Sequence, residues 1–277
     1  MFAVSWRNPD AGQAGWGVDT YGQAVLDAMD AAEHVARTPR TALMAFGAGG
    51  TLTAMVLGHL AAIGAQERVA SVTFGATVLD REAGKGTATA DPLTWPGRPA
   101  PDVPREVRFW HADTLRVPAG VQRGLSDVVE RGALASPGAA YLLGTTIDLA
   151  KVDRDCYVVV GAGDRVAPWP DVHRVTRLLA GSSRFVLADG GHLGSLVSPP
   201  GEPGLTFRTA ASVTGAAADG GPPHGWVALT ATEPGSWWED HLTWLTERTG
   251  PAHDAPPELG GRGMHALAPA PGEYVRS

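Results

Sequence analysis

Residues 41 to 64 read TALMAFGAGGTLTAMVLGHLAAIG: an apolar run that ends in a glycine-rich turn and passes without a break into a helical pattern. A strand–turn–helix unit of this kind confines a chain to the layered α/β folds, where the strand is buried on both faces and the helix returns across the sheet. Further strand signals recur along the sequence. Phe2 to Trp6 is a short apolar run stopped by Arg7-Asn8-Pro9-Asp10 and is read as a strand before a turn. Val69 to Leu79 is another strand candidate, ending at Asp80, and Val107 to Trp110 is a further short apolar run. Cys156 to Val160 is strongly β-prone and ends in Gly161-Ala162-Gly163-Asp164, and Arg184 to Leu187 ends in Gly190-Gly191-His192.

Helical spacing lies between these runs. Val25, Leu26, Met29, Ala32 and Val35 mark one amphipathic helix, residues 121 to 143 hold helical patterns, and Pro170 to Ala180 predicts another helix. The alternation predicts one α/β domain over residues 1–277, with a mostly parallel sheet and helices on both faces. In such sheets ligands and chemistry gather at the carboxyl ends of strands. Gly47, Asp164 and His192 each fall just past a strand.

Three clusters of glycine and proline interrupt the pattern, at Arg81–Arg105, Pro199–Pro223 and Gly250–Ser277, and read as loops or mobile connections. Residues 80–145 are expected to form a reduced, loop-rich cap and 250–277 an extended tail. A net charge of −7 argues against phosphate-driven nucleic-acid binding. The single cysteine, Cys156, excludes an internal disulfide and a CxxC metal site, and its place inside a strand marks it as a buried structural thiol. No apolar run is long enough to span a membrane, and the first residues lack a secretory apolar core. Together these features predict a soluble, intracellular globular protein without a resident cofactor or metal.

The turn Phe46-Gly47-Ala48-Gly49-Gly50-Thr51 admits three readings. As a dinucleotide fingerprint it has Gly47 and Gly49, but Leu52 stands where the third glycine belongs. Of the acidic residues, Glu67 lies at the right distance but precedes the strand, and Asp80 ends the strand but lies too far along the chain. As a nucleophile elbow it has small flanking residues, with glycine at the central position. As a plain structural turn it needs only to pack a helix on a strand. The order nucleophile, acid, histidine, each at a strand end, favours the elbow, with Asp164 as the acid and His192 as the base.

Seven collinear segments carry a resemblance. They are VSWRNPD at 4–10, FGAGGT at 46–51, FWHADT at 109–114, GDRVAPW at 163–169, GGHLGSLVSPP at 190–200, GSWW at 235–238 and APAPGEYV at 268–275. In these the chain resembles the catalytic-domain half of poly(3-hydroxyalkanoate) synthases, members of the α/β-hydrolase superfamily. The resemblance implies acyl transfer from a 3-hydroxyacyl-CoA to a growing polyester through a cysteine thiolate, with a histidine base and a supporting aspartate. Residue by residue, it places the aspartate at Asp164, the histidine at His192 and the nucleophile at Gly47, where the family carries F-C-x-G-G-T. A thiol is both a strong nucleophile and a good leaving group, and glycine has no such atom.

The resemblance also implies early sheet strands before VSWRNPD and a longer lid than this sequence provides. The expectation is a catalytically degenerate synthase homologue, a relic or a non-catalytic partner of an intact synthase or a polyester granule, located in the cytoplasm or on the granule. Acyl-CoA enters only as the family's substrate. Alternatives are an active acyltransferase or thioesterase using His192 and Asp164 with water or a partner-supplied nucleophile, and a Rossmann-like nucleotide-binding module. A start upstream of Met1, or a split gene, would supply the missing strands elsewhere. Trp110 and Trp169 are expected to wall the site or pack beneath it. Trp237 and Trp238 are expected to serve the core and a helix start rather than to bind polymer.

Overall fold

The structure, a computed structural model, describes residues 1–81, 105–210, 213–214, 223–252, 254, 257, 259–261 and 263–269. After an extended start and a short 3-10 turn at Ala11–Gln13, the chain forms α1 (Val18–Ala36), which buries Met29 and Ala32, keeps Asp19, Asp27 and Asp30 toward solvent and pairs Glu33 with Arg68. β1 (Thr41–Phe46) feeds α2 (Gly47–Ala62), and β2 (Val69–Gly75) lies parallel to β1. Next come α3 (Arg105–Ala112), α4 (Ala119–Glu130) and a small hairpin of β3 (Ala140–Leu142) and β4 (Thr145–Ile147). β5 (Cys156–Gly161), α5 (Trp169–His173), β6 (Ser182–Ala188) and α6 (His192–Val197) continue the α/β alternation. β7 (Thr206–Thr209), β8 (Val213–Thr214), α7 (Pro223–Leu229), β9 (Thr232–Pro234) and α8 (Trp237–Thr249) follow.

The central sheet runs β1-β2-β5-β6-β7-β9, with β8 also paired to β6. β1, β2, β5 and β6 are mutually parallel, and β7, β8 and β9 add antiparallel pairings beside them. Strand alternation divides β5 between two cores. Cys156, Val158 and Val160 face one cluster with α2, α5 and α7 residues, while Tyr157 and Val159 face a second built on Trp237 and Trp244 of α8. Helices therefore cover both faces, as the alternation predicts.

α2 is buried over Gly50–Leu60, which explains why its sequence is apolar on every side rather than along one stripe. Two of its glycines admit neighbours that a side chain would displace. A Cβ on Gly50 would meet the Thr77 side chain at 2.0 Å, and one on Gly58 would meet Ile147 at 2.5 Å. On the other face, the Asp240 carboxylate of α8 accepts from the Tyr157 hydroxyl at 2.9 Å and from Arg184 Nε at 2.8 Å, tying α8 to β5 and β6. Burial beside that carboxylate pushes the Tyr157 phenol above its ordinary range.

Several boundaries differ from the sequence reading. Phe2–Trp6 is not a strand: Phe2 and Val4 are exposed, and Trp6 stacks on Tyr21 at 4.7 Å instead of joining a ladder. An apolar run becomes a strand only where a neighbour takes its backbone groups. β2 stops at Gly75 rather than Leu79, because Ala76 turns the chain with φ +45 and Thr77–Leu79 tuck beneath α2. The Pro170–Ala180 helix is only α5 followed by a 3-10 turn at Arg174–Arg177. The far part of 121–143 is β3 rather than helix, and the run at Val107–Trp110 lies inside α3. β7 and β8 lie within the cluster at Pro199–Pro223 that composition marks as loop. Residues 82–104, which hold nearly all of the first loop cluster, lie outside the described residues, as do the side chain of Trp110 and residues 270–277.

Candidate active site

The turn between β1 and α2 has the backbone of an elbow. Gly47 sits at φ +50, in the left-handed region, and a Cβ built there meets nothing within 4 Å. The position is thus sterically open to a side chain and conformationally suited to glycine. No side chain caps α2, so its first N–H groups are left without intrahelical or capping partners at the mouth of this turn.

Asp164 and His192 meet across the loops that follow β5 and β6. Asp164 Oδ1 accepts from the backbone N–H of Val166 at 2.9 Å and of Ala167 at 2.8 Å, a local turn that fixes the carboxylate. Its Oδ2 lies 2.7 Å from His192 Nδ1, and the Asp164 side chain is wholly buried while His192 keeps 19% of its side chain exposed. An acceptor at Nδ1 selects the tautomer that carries the proton there and leaves Nε2 free to accept one.

The two loops can meet only because their backbones touch. Ala162 N–H donates to Ala188 O at 2.8 Å, and Gly163 N–H donates to Gly190 O at 2.9 Å. A Cβ on Gly161 would lie 2.6 Å from Gly190 O, so a side chain there would drive the loops apart. His192 opens α6, and Leu196 of the same helix reaches Gly75 beside the Phe46 ring. α6 therefore runs from His192, beside Asp164, to the carboxyl end of β2, where Leu196 lies close to the Phe46 ring.

Cys156 stands apart from this chemistry. It is fully buried on β5 with Sγ 3.0 Å from Ser183 Oγ, and burial pushes its thiol up to about 12, which removes it as a nucleophile. Trp169 is half-buried, its ring near those of His173 and Phe185. Trp237 is fully buried behind the Ser236 N-cap of α8, so the GSWW segment does serve both core and helix start. Asp80 ends the segment after β2 in an ion pair with Arg174, Nε to Oδ2 at 2.6 Å, a pairing that the sequence reading missed. That bond occupies the acidic group a dinucleotide site would have to spare for a ribose.

Strand, elbow turn, helix, then acid and histidine at successive strand ends: this is the α/β-hydrolase class of fold. Within that class the chain is homologous to poly(3-hydroxyalkanoate) polymerases over nearly its whole length. It is 32% identical to poly(3-hydroxyalkanoate) polymerase 2 of Ectopseudomonas oleovorans, across 99% of this chain and 55% of that protein. It is 28% identical to the poly(3-hydroxyalkanoate) polymerase subunit PhaC of Cupriavidus necator, across 100% of this chain and 54% of that protein. The chain spans about half the length of the curated relatives it matches. Among solved structures, Rv0554 from Mycobacterium tuberculosis is similar with a TM-score of 0.47 and 14% identity, covering 69% of this chain and 71% of that one. A non-heme bromoperoxidase, BpoC, from the same organism has a TM-score of 0.45 and 14% identity, over 69% and 73%. No family model matches the chain. No described helix is long and apolar enough to cross a membrane, and no cluster of metal-ligating side chains occurs among the described residues.

Proposed function

We propose that this chain is a polymerase homologue whose acyl-transfer site keeps its acid and base but lacks its nucleophile, and that it acts as a non-catalytic partner of an intact polymerase. The observation that carries this reading is Gly47, a residue with elbow backbone and open space but no nucleophilic atom. In serine proteases, loss of a triad nucleophile costs on the order of a millionfold in rate. Asp164 and His192 without that atom have only water or a diffusible group to activate. Acyl-CoA remains the substrate class the homology brings to the site, and no resident cofactor is invoked.

β1 supports the partner role. It is one of the two end strands of the sheet among the described residues, it carries no charge or proline, and Met44 and Phe46 stand partly exposed on it. An unblunted, apolar edge strand is a template for a further strand. An intact polymerase or the polyester granule it makes is the proposed location. Pull-down of a full-length polymerase by this chain, with granule association of a tagged copy, supports the reading. A folded, monodisperse protein that ignores the polymerase contradicts it.

A second reading rests on the dyad itself. With Asp164 Oδ2 2.7 Å from His192 Nδ1, the site retains a base able to activate water, or a nucleophile from another chain, against a thioester. Slow CoA release by the wild-type chain that disappears in His192→Ala favours this second reading over the first.

A further inference from the structure

Three consecutive side chains at the start of α8 end on three carbonyls of one short segment. The Ser236 hydroxyl donates to Ser198 O, Trp237 Nε1 donates to Ser195 O at 2.7 Å, and Trp238 Nε1 donates to Val197 O at 3.0 Å. These acceptors are the last carbonyls of α6 and of its C-cap, which a helix cannot satisfy from within. α6 has only six residues, far fewer than a helix needs to persist on its own. His192 is its first residue.

The donors are themselves held. Trp237 and Trp238 stack with ring centroids 4.1 Å apart, Trp237 is fully buried, and Ser236 also accepts from Trp238 N–H as the N-cap of α8. Trp244, two turns along the same helix, provides the contrast. It is equally part of the core, but its indole N–H is buried without a hydrogen-bond partner, and its ring packs on Tyr157 and under Arg248. Core filling alone therefore does not account for where the first two indoles point.

We propose that the Ser236-Trp237-Trp238 segment positions His192, by anchoring the far end of the helix whose first residue meets Asp164. The proposal rests on the reading of His192 as the base of the site. All three residues act through α6, so they are positioning residues. Without the anchor, α6 frays from its carboxyl end, and the imidazole loses the fixed orientation that the 2.7 Å contact with Asp164 requires.

Nuclear magnetic resonance on the folded chain tests this without any turnover. The readouts are the His192 Nδ1 proton, its exchange with water, and the ring 15N shifts that report the tautomer. Trp237→Phe and Trp238→Phe keep an aromatic ring but remove the N–H together with part of the indole, and Trp244→Phe, which loses the same ring atoms from an N–H that bonds nothing, controls for the lost volume. Each is expected to speed exchange of that proton about fivefold, and the double variant about twentyfold or more, with loss of the single tautomer. Trp244→Phe is expected to leave the signal unchanged. A double variant with wild-type exchange and tautomer overturns the proposal, as does an equal effect from Trp244→Phe. If the double variant does not fold, Trp238→Phe, whose ring is half-buried, decides by the same readout. A chain silent in acyl transfer would bear on the proposed function and leave this result untouched.

Discussion

The loops after β5 and β6 and the turn after β1 all follow the carboxyl ends of parallel strands of one sheet but are held very differently. Around the proposed acid–base pair, Asp164 is wholly buried and accepts two backbone N–H bonds besides its contact with His192, and Ala162 and Gly163 of the first loop donate backbone bonds to Ala188 and Gly190. On the nucleophile side, β1 is an outer strand with an alternating half-exposed pattern, and Gly47 presents empty space. The difference separates two tasks. Orienting an aspartate and a histidine needs a rigid, desolvated frame, whereas the nucleophile's place needs only an elbow and a side chain to fill it. The proposed acid–base pair thus sits in the rigid frame, and Gly47, the proposed nucleophile position, sits on the open side.

Breaking the rigid side gives the largest expected effect. Asp164→Ala removes the acceptor of three hydrogen bonds and leaves two N–H groups unpaired, that of Ala167 buried and that of Val166 partly buried, so urea unfolding should show a loss of about 3 kcal/mol. A loss under about 0.5 kcal/mol would mean that the loops are held by their backbone bonds alone.

His173 tests how dry that side is beneath α5. It sits in a cage with Trp169, Phe185 and Trp226, its Nδ1 has no hydrogen-bond partner, and burial lowers it to about 4, with Arg177 adding to the shift. In the unfolded chain a histidine titrates near 6.5, so between about pH 6.5 and 4 the unfolded state binds the extra proton. Stability should therefore fall as pH drops through that window, by about 2 kcal/mol from this group. His173→Phe should flatten the acid limb of a denaturation series, and an unchanged slope would show that the imidazole is solvated.

The smallest expected effect belongs to the open side. Met44→Lys puts a charge on the β1 edge, where the side chain is already partly in water, so its effect on stability should stay within about 0.5 kcal/mol. The same change should abolish capture of an intact polymerase, since an edge lysine blunts strand addition. Retained capture would move the contact elsewhere.

The same asymmetry governs what could be read from sequence. Parallel strands announce themselves as apolar runs, whether fully buried like Cys156–Val160 or at the sheet's edge like Thr41–Phe46, so both were legible to within a residue, and Gly47, Asp164 and His192 followed as strand-end residues. β7 and β9 were not legible, because three- and four-residue antiparallel strands spelled TEP and TFRT carry too few apolar residues to rise above a loop rich in glycine and proline. Phe2–Trp6 failed in the opposite direction: it has a strand's composition but no neighbouring strand. The hydrogen bonds from Trp237 and Trp238 to α6 span about forty residues of sequence and leave only a serine before two tryptophans as their local trace.

The most direct measurement is CoA release from 3-hydroxybutyryl-CoA by the wild-type chain and by Gly47→Cys, after circular dichroism shows both to be folded. A silent wild type and a Gly47→Cys variant that gains thioester turnover is the expected result, since the acid–base frame would then be intact around a missing nucleophile. Turnover by the wild type, at a rate that Gly47→Cys does not raise, would contradict the central role given to Gly47.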